Sequence, residues 1–247
     1  MKIDFSDQVV LITGATRGIG KQLADDFSAL GARLILTGTN EDQIKVLNKA
    51  KNNKKKKYFC VDFKDVWQTE RFIEKLDAFK KIDVCINNAG INRINFIDET
   101  LTKDWNDIMA VNLTAPFMLI RKVSRIMKKN RYGRIINISS ILGTISREKR
   151  AIYSASKFGI RGLTVAAGNE LARYNILVNT VSPGFVLTDL TRGILSKKEM
   201  KDLAAQIPAR RLATPDEISR VVLFLASNLN TYLAGQNIIV DGGYVNV

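Results

Sequence analysis

Short runs of β-branched residues alternate with longer helical patterns along the whole chain. The predicted strands cover residues 9–13, 33–37, 58–61, 84–87, 134–138, 176–181 and 238–240. The predicted helices lie between them, at residues 18–30, 42–51, 68–79, 103–127, 153–174 and 215–226. Such alternation is typical of a parallel sheet whose strands are joined by crossover helices. We therefore expect an α/β fold, a single doubly wound domain over residues 1–247 with about seven parallel strands flanked by helices.

Composition limits the chemistry that such a fold can carry. A chain of 247 residues that is 46% hydrophobic can bury a large core without disulfides or metals. The chain contains no histidine, which removes histidine-based catalytic triads and most catalytic zinc sites, so we expect no metal. Proton transfer must therefore use tyrosine, lysine, cysteine or carboxyl groups.

The cysteines and the apolar runs indicate a location. Cys60 and Cys85 lie in apolar runs, far apart and without the paired spacing of a zinc site, so we expect both thiols to be reduced. The first residues lack a basic segment followed by a long apolar one, and no apolar run is long enough to span a membrane. We expect a cytoplasmic protein without a membrane anchor.

The formal net charge of +14 has two interpretations. A basic run at residues 54–57 follows a predicted helix, where cations complement the helix dipole and face water. The same run could instead bind an anionic partner. Nucleic acid is disfavoured as that partner, because the basic residues are scattered and no stacking pattern of aromatic residues accompanies them.

A glycine-rich turn follows the first predicted strand. Residues 13–20 read TGATRGIG, which places Gly14, Gly18 and Gly20 between a strand and a helix. Glycine permits a tight turn and a close approach of the backbone to a pyrophosphate, which the N–H groups of the following helix attract. The strand before the turn and the helix after it favour a dinucleotide site over an ordinary loop.

This TGxxxGxG turn resembles that of the short-chain dehydrogenase/reductase family, which has a Rossmann fold. Further motifs follow in the family's order over nearly the whole chain: NNAG at 87–90, Asn112, Ser139 with Ser140, YSASK at 153–157, Pro183 with Gly184, and GQNIIVDGG from Gly235. The resemblance implies an oxidoreductase that interconverts a ketone and a secondary alcohol by hydride transfer to or from a nicotinamide cofactor.

The predicted catalytic residues centre on Tyr153 and Lys157. They are four residues apart, so on a helix their side chains share one face. Because an ammonium group favours a neighbouring phenolate, we expect the pKa of Tyr153 to fall toward neutral pH. Tyr153 would then protonate the carbonyl oxygen, and Ser140 would donate a hydrogen bond to the same atom. The resemblance further implies that Lys157 holds the nicotinamide ribose and that Asn112 positions a water in a proton relay.

Cofactor choice is expected to depend on the end of the second strand. Members of the family that bind NAD usually have an acid there, whereas this chain has Gly38, which does not repel a 2′-phosphate. Arg17 offers a fork-shaped cationic donor for that phosphate. We expect NADP(H) to be favoured over NAD(H), although Glu41 and Asp42 follow closely and could serve NAD.

The resemblance also implies which other residues contact the cofactor. The set is Gly14, Thr16, Arg17, Gly18, Ile19, Gly20, Thr39, Asp62, Asn88, Ala89, Gly90, Tyr153, Lys157, Pro183, Gly184 and Thr188. Asp62 has two interpretations, a contact to the adenine or the N-cap of the next helix. Asn87, with Ala89 and Gly90, would line the cofactor trough or simply end a strand.

Substrate choice is expected to depend on residues 91–96 and 141–150 and on a lid at roughly 185–208. These segments carry basic residues that could face an anionic substrate or merely share the basic bias of the chain: Arg93, Arg147, Lys149, Arg150 and Arg192. The most similar subgroup is the 3-oxoacyl-[acyl-carrier-protein] reductases of fatty acid biosynthesis, by length, by the TGATRGIG turn and by IPARRL at 207–212. Lys128, Lys129 and Arg131 would then contact the acidic carrier protein.

Two departures from that subgroup keep other substrates open. Arg210 stands where the subgroup has glycine, and residues 146–150, SREKR, are unusually charged. A keto-sugar, sugar acid or polyol is therefore the alternative substrate. A more distant alternative is a non-catalytic NADP(H)-binding sensor or scaffold, although such proteins often lose the Tyr or Lys that this chain keeps.

Small residues on the predicted helix at 153–174 indicate close packing between subunits. They are Ala155, Gly159, Gly162 and Ala166. In members of the family, this helix and the one bearing Asn112 form the subunit interface. We therefore expect a homotetramer.

Overall fold

The computed structural model describes residues 3–50, 55–188, 191 and 196–246. Within them, seven strands form one sheet: β1 (Val9–Ile12), β2 (Arg33–Gly38), β3 (Lys56–Cys60), β4 (Val84–Asn87), β5 (Gly133–Ile138), β6 (Ile176–Pro183) and β7 (Asn237–Val240). Their order across the sheet is β3-β2-β1-β4-β5-β6-β7, and all neighbours are parallel. The predicted α/β class and parallel sheet are confirmed.

Helices cover both faces of this sheet. Those of the described residues are α1 (Gly18–Ala29), α2 (Glu41–Lys49), α3 (Val66–Lys75), α4 (Thr102–Met109), α5 (Ala115–Asn130), α6 (Ala151–Leu171), α7 (Lys197–Gln206) and α8 (Pro215–Ala226). The long helix predicted at 103–127 is divided into α4 and α5 by a π-helical turn at Ala110–Thr114. Helix α7 was not predicted, because it is largely polar and buries no residue.

The core divides into two apolar clusters, one on each face of the sheet. On one face, Phe27 of α1 and Val222 of α8 pack with residues of β1 that include Ile12. On the other, Phe72 of α3 and Leu119 of α5 pack with residues that include Leu11 and Ile35, and α6 adds Leu171. Successive strand residues point to opposite faces, so strands covered on both sides are apolar throughout. This is why they appear in the sequence as short continuous β-branched runs.

The topology creates a crevice at the carboxyl ends of the strands. Strand β1 pairs with β2 on one side and with β4 on the other, so the direction of winding reverses between β1 and β4. Ligands of doubly wound sheets bind outside the carboxyl ends of the strands at such a reversal. The glycine-rich turn follows β1 directly, and the NNAG motif begins at the last residue of β4.

Some predictions concern residues outside the described part of the chain. These are Lys54 of the basic run, Arg192, and residues 189–190 and 192–195 of the expected lid. The described part of the basic run begins β3, where Lys56 Nζ lies 3.5 Å from a carboxylate oxygen of Asp25. Among the described residues, no helix combines the length and the apolar character that crossing a membrane requires.

Candidate active site

The glycine-rich turn and the loop after β4 are in close contact. Asn88 Nδ2 donates hydrogen bonds to the carbonyl oxygens of Thr13 and Gly14, at 2.9 and 3.0 Å. A Cβ atom at Gly20 would lie 2.5 Å from that Nδ2 and would clash with the carbonyl oxygen of Gly14. The turn therefore requires glycine at position 20.

A threonine hydroxyl that sequence reasoning did not single out joins these loops. Thr13 Oγ1 accepts hydrogen bonds from the backbone N–H groups of Asn88 and Ala89, at 3.0 and 2.9 Å. The N–H of Gly14 in turn donates to Thr37 Oγ1 on β2 at 3.1 Å. The turn is thus tied to both neighbouring strands. The sequence signal that could have identified Thr13 is its position immediately before the first glycine of the turn.

The start of α1 faces the crevice with backbone N–H groups that have no partner within the helix. Arg17 precedes the first residue of α1, and its side chain makes no capping hydrogen bond and is exposed. Ile19 is half-buried against the core. Thr188 lies over the turn, since a Cβ atom at Gly18 would be 3.5 Å from its Cγ2. The N-terminus of α1 is therefore a ready site for a phosphate.

The end of β2 has no room for an acidic side chain. A Cβ atom at Gly38 would lie 2.5 Å from Cγ2 of Thr16, so these two residues pack directly together. The nearby acids lie on α2 and pair with Lys45, whose Nζ is 2.9 Å from Glu41 and 3.7 Å from Asp42. The two carboxylates considered for binding NAD therefore already pair with a lysine.

The cap interpretation of Asp62 is wrong. The N-cap of α3 is Asp65, whose side chain accepts hydrogen bonds from the N–H groups of Trp67 and Gln68. Asp62 lies three residues earlier, after β3, and pairs with Lys64 at 3.2 Å. Thr39 is exposed at the end of β2, and the Cys60 thiol donates to its carbonyl oxygen at 3.6 Å.

The predicted acid/base residue lies at the first turn of α6. Its phenol lies close enough to the hydroxyl of Ser140, which follows β5, for that hydroxyl to lower the pKa of Tyr153. Ser140 Oγ also accepts a hydrogen bond from the N–H of Leu142 at 3.1 Å, so its own proton remains available for donation. The serine and the phenol predicted to act on one carbonyl oxygen are therefore adjacent.

The direction of the Tyr153 pKa shift differs from the sequence prediction. Burial raises the pKa of Tyr153 above its usual value, while the hydrogen bond from Ser140 and the charge of Arg150 act in the opposite direction. Desolvation disfavours the phenolate more than these two groups favour it. Tyr153 therefore keeps its proton at neutral pH in this structure.

Lys157 is buried one turn after Tyr153 on the same face of α6. Its Nζ donates a hydrogen bond to the carbonyl oxygen of Ile138 at 2.9 Å, and its residue is 4% exposed. Burial lowers the pKa of Lys157 to about 8. The ammonium form is therefore retained at pH 7, close to the point where it loses its proton.

Asn112 lies in the π-helical turn, and its side chain forms hydrogen bonds to the loop after β4 and to α6. Its Nδ2 donates to the carbonyl oxygen of Ile91 at 2.9 Å and to Ser156 Oγ at 3.0 Å. Its Oδ1 accepts from the N–H of Ile91 at 2.9 Å. A Cβ atom at Gly90 would be 3.5 Å from that Oδ1 and 3.6 Å from Lys157 Nζ. The NNAG loop, the π-helical turn and α6 therefore meet at one point.

The remaining predicted cofactor residues lie at the end of β6. Pro183 is its last residue, and the N–H of Gly184 donates to the carbonyl oxygen of Val240 at 2.9 Å. A Cβ atom at Gly184 would lie 2.8 Å from Cα of Asp241, so glycine allows the two chain segments to approach. These residues border the same edge of the sheet as the glycine-rich turn.

A cavity of 380 Å³ lies between the loop after β5 and α7. Arg147, Arg150 and Phe185 line it, together with Glu199 and Asp202 of α7. Because α7 lines the cavity, part of the segment predicted as a lid borders a candidate substrate site.

The basic residues expected to face an anionic substrate have different surroundings. Arg147 and Arg150 line the cavity. Arg93 instead lies 3.5 Å from a carboxylate oxygen of Asp104, and the Lys149 ammonium lies 4.2 Å from the centre of the Phe96 ring.

A dinucleotide-binding turn beside a cluster of Ser140, Tyr153 and the buried Lys157 defines a nicotinamide-dependent oxidoreductase. The comparisons with known proteins agree, because residues 14–245 match the family described as Enoyl-(Acyl carrier protein) reductase. The chain belongs to the short-chain dehydrogenase/reductase family, as the sequence motifs predicted.

Relatives and solved structures extend over nearly the full length. The chain is 38% identical to the 3-oxoacyl-[acyl-carrier-protein] reductase FabG of Escherichia coli (strain K12), over 98% of each chain. A putative NAD(P)-dependent gluconate 5-dehydrogenase from Beutenbergia cavernae with bound NADP is 30% identical, with a TM-score of 0.92 over 99% of each chain. A gluconate 5-dehydrogenase from Burkholderia cenocepacia J2315 in complex with NADP and tartrate is 31% identical, with a TM-score of 0.90 over 99% of this chain and 97% of that chain.

Proposed function

We propose that this protein interconverts a ketone and a secondary alcohol with NADP(H). The observation that carries the proposal is the contact between Tyr153 and Ser140, with Lys157 buried on the same face of α6. When bound, the reduced nicotinamide supplies a hydride to the carbonyl carbon. Tyr153 transfers its phenolic proton to the carbonyl oxygen, and Ser140 donates a hydrogen bond to that oxygen as negative charge develops.

The protonation states at neutral pH suit reduction. The raised pKa of Tyr153 keeps the proton that the product alcohol must receive. The Lys157 ammonium, with a pKa of about 8, stabilises the phenolate that remains after this transfer. Asn112 holds the NNAG loop beside Lys157 and supports the predicted relay to solvent.

The residues of the crevice fit NADP(H) better than NAD(H). Gly20 and Gly38 lie where a side chain would clash with Gly14 and Thr16, so glycine allows the turn to pack closely on its neighbours. Arg17 is exposed beside the N-terminus of α1, while Glu41 and Asp42 pair with Lys45. A cation without a competing acid favours the 2′-phosphate.

The first substrate candidate is a 3-oxoacyl thioester carried by an acyl carrier protein. The identity of 38% to the E. coli reductase of that name supports it. Lys128, Lys129 and Arg131 lie at the end of α5 and would contact an acidic carrier protein. The second candidate is a keto-sugar acid, favoured by the charged cavity and by the structural similarity to gluconate 5-dehydrogenases.

We also propose a cytoplasmic homotetramer. Both cysteines are free, which suits a reducing compartment. Three apolar side chains on two helices are each more than 40% exposed: Phe117 on α5, and Phe158 and Val165 on α6. Exposed apolar residues on two helices are suited to a subunit interface.

NADPH oxidation by the purified protein tests the proposed reaction. An acetoacetyl thioester is compared with a panel of keto-sugars and keto acids, and NADH is run in parallel. Turnover with NADPH but little with NADH is expected, and the preferred ketone selects between the two substrate candidates. Tight NADPH binding without turnover of any ketone would overturn the enzymatic proposal in favour of a sensor or scaffold.

A further inference from the structure

Two arginines lie near the reacting groups and line the cavity beside α7. Arg147 and Arg150 line the 380 Å³ cavity, and neither guanidinium forms an ion pair or hydrogen bond with another described residue. Arg150 lies three residues before Tyr153, and its charge acts on the phenol. A substrate bound next to Tyr153 would therefore meet these two cations.

The position of Arg150 is electrostatically unfavourable in three respects. It is half-buried, so its charge is partly removed from water, and burial lowers its pKa below the usual range. The neighbouring charge of Arg147 lowers that pKa further. Arg150 is also the N-cap of α6, whose first turn contains no acidic residue. A helix N-terminus favours anions and repels cations.

A bound anion would reverse all three of these costs. It would offset the repulsion between the arginines, supply the partner that a half-buried cation needs, and complement the N-terminus of α6. Packing against an aromatic ring positions the guanidinium of Arg147. Its guanidinium lies 5.8 Å from the centre of the Phe185 ring, which meets Tyr244 edge to face at 5.1 Å.

The wall that α7 contributes to the cavity carries two acidic residues. The carboxylate of Glu199 caps the start of α7. Its Oε2 accepts hydrogen bonds from the N–H and the hydroxyl of Ser196 at 2.8 and 2.7 Å. Asp202 lies one turn further along the same helix. A carboxylate in the cavity would be repelled from this wall and attracted to the arginines, so the charges orient it as well as bind it.

We infer that Arg147 and Arg150 form a subsite for a carboxylate group of the ketone that Tyr153 protonates. The inference rests on the proposed function and selects the second of its two substrate candidates, a keto acid in its ionised form, over the 3-oxoacyl thioester. Arginine suits this task, since its planar fork can donate two parallel hydrogen bonds to a carboxylate. A neutral ketone of the same shape would leave both guanidinium groups without an anion.

The test compares each keto acid with its primary amide, which has nearly the same shape and no charge. The pairs are pyruvate with pyruvamide, acetoacetate with acetoacetamide, and levulinate with levulinamide, which place the carboxylate at increasing distance from the ketone. For at least one pair, kcat/KM with NADPH should favour the acid by about tenfold or more. Arg150→Gln should reduce this preference by about tenfold to a hundredfold, mainly through KM for the acid.

Two further variants test whether the preference for the acid depends on a cation at position 150 or only on the net charge of the protein. Arg150→Lys keeps a cation and should retain part of the preference for the acid. Arg220→Gln removes an equal charge on α8, where Arg220 pairs with Asp216 at 2.7 Å, and should not change the preference. Equal kcat/KM for the acid and the amide in every pair would overturn the inference. An unchanged preference in both Arg147→Gln and Arg150→Gln would overturn it too.

Calorimetry on Tyr153→Phe saturated with NADPH distinguishes this inference from the proposed reaction. The variant blocks turnover, so binding of acid and amide is measured directly. Tighter binding of the acid that disappears with Arg150→Gln supports the subsite even if the wild-type protein reduces no ketone. Reduction of ketones without any such difference in binding supports the proposed function and rejects the subsite.

Discussion

The ammonium nitrogen of Lys157 lies 5.5 Å from the centre of the Tyr153 ring. Lys157 is buried and Tyr153 is half-buried, and burial is the first cause of each pKa shift. It raises the pKa of the phenol and lowers that of the amine, so burial drives both groups toward their neutral forms. Proton transfer from Tyr153 creates a phenolate that the Lys157 cation can stabilise only below the pKa of the amine.

Removing the phenolic hydroxyl tests the assignment of Tyr153. Tyr153→Phe deletes the proton donor and keeps the ring, so turnover should fall by about a hundredfold or more. NADPH binding, followed by fluorescence, should remain nearly intact because the crevice is unchanged. Turnover within a few-fold of the wild type would contradict the mechanism.

The lowered pKa of Lys157 predicts how stability depends on pH. Between about pH 8 and pH 10.5 the unfolded chain keeps this proton and the folded protein does not. Because the unfolded state binds more protons there, the free energy of unfolding rises with pH. The shift from 10.5 to about 8 corresponds to about 3 kcal/mol over this window. Lys157→Met lacks this contribution.

Urea unfolding of the wild type and Lys157→Met at several pH values measures the effect. The wild type should gain about 3 kcal/mol relative to the variant between pH 8 and 10.5. Lys198→Met, which removes an exposed lysine of α7, should show no comparable gain. A constant difference between the wild type and Lys157→Met would show that burial does not perturb this amine.

The strands and most helices could be predicted because their sequence patterns reflect burial. Strand β6 is buried at every residue, and its sequence, ILVNTVSP, is mostly apolar or β-branched. Helix α7 buries none of its residues, so no apolar periodicity marks it. Its signal was local, since Ser196 and Glu199 form a capping box.

The sequence predicted which residues form the candidate site, but it did not predict how their pKa values are shifted. The spacing of Tyr153 and Lys157 placed both on one helical face. The direction of the Tyr153 pKa shift could not be predicted, because it depends on how far distant segments cover the phenol. The π-helical turn at Asn112 was also missed, since it depends on hydrogen bonds to Ile91 and Ser156 from other parts of the chain.

Arg17 is predicted to select the phosphorylated cofactor. Arg17→Gln should raise KM for NADPH by roughly tenfold to a hundredfold, the scale of a lost hydrogen bond to a charged group. KM for NADH should change little, because NADH lacks the 2′-phosphate. Arg17→Lys keeps a charge without the planar fork and should give an intermediate value. Equal changes for both cofactors would mean that Arg17 does not contact this phosphate.

The proposed tetramer predicts that a charge on α6 disrupts assembly. Val165 is 48% exposed and shares a cavity of 630 Å³ with Phe158 and Gly162. Val165→Glu would bury a carboxylate if this face lies against another subunit, which is strongly unfavourable without a partner. Light scattering should show a tetramer for the wild type and smaller species for the variant. Val46→Glu, at a 69% exposed position of α2, should remain tetrameric. A monomeric wild-type protein would refute the assembly, and a tetrameric Val165→Glu would place the interface elsewhere.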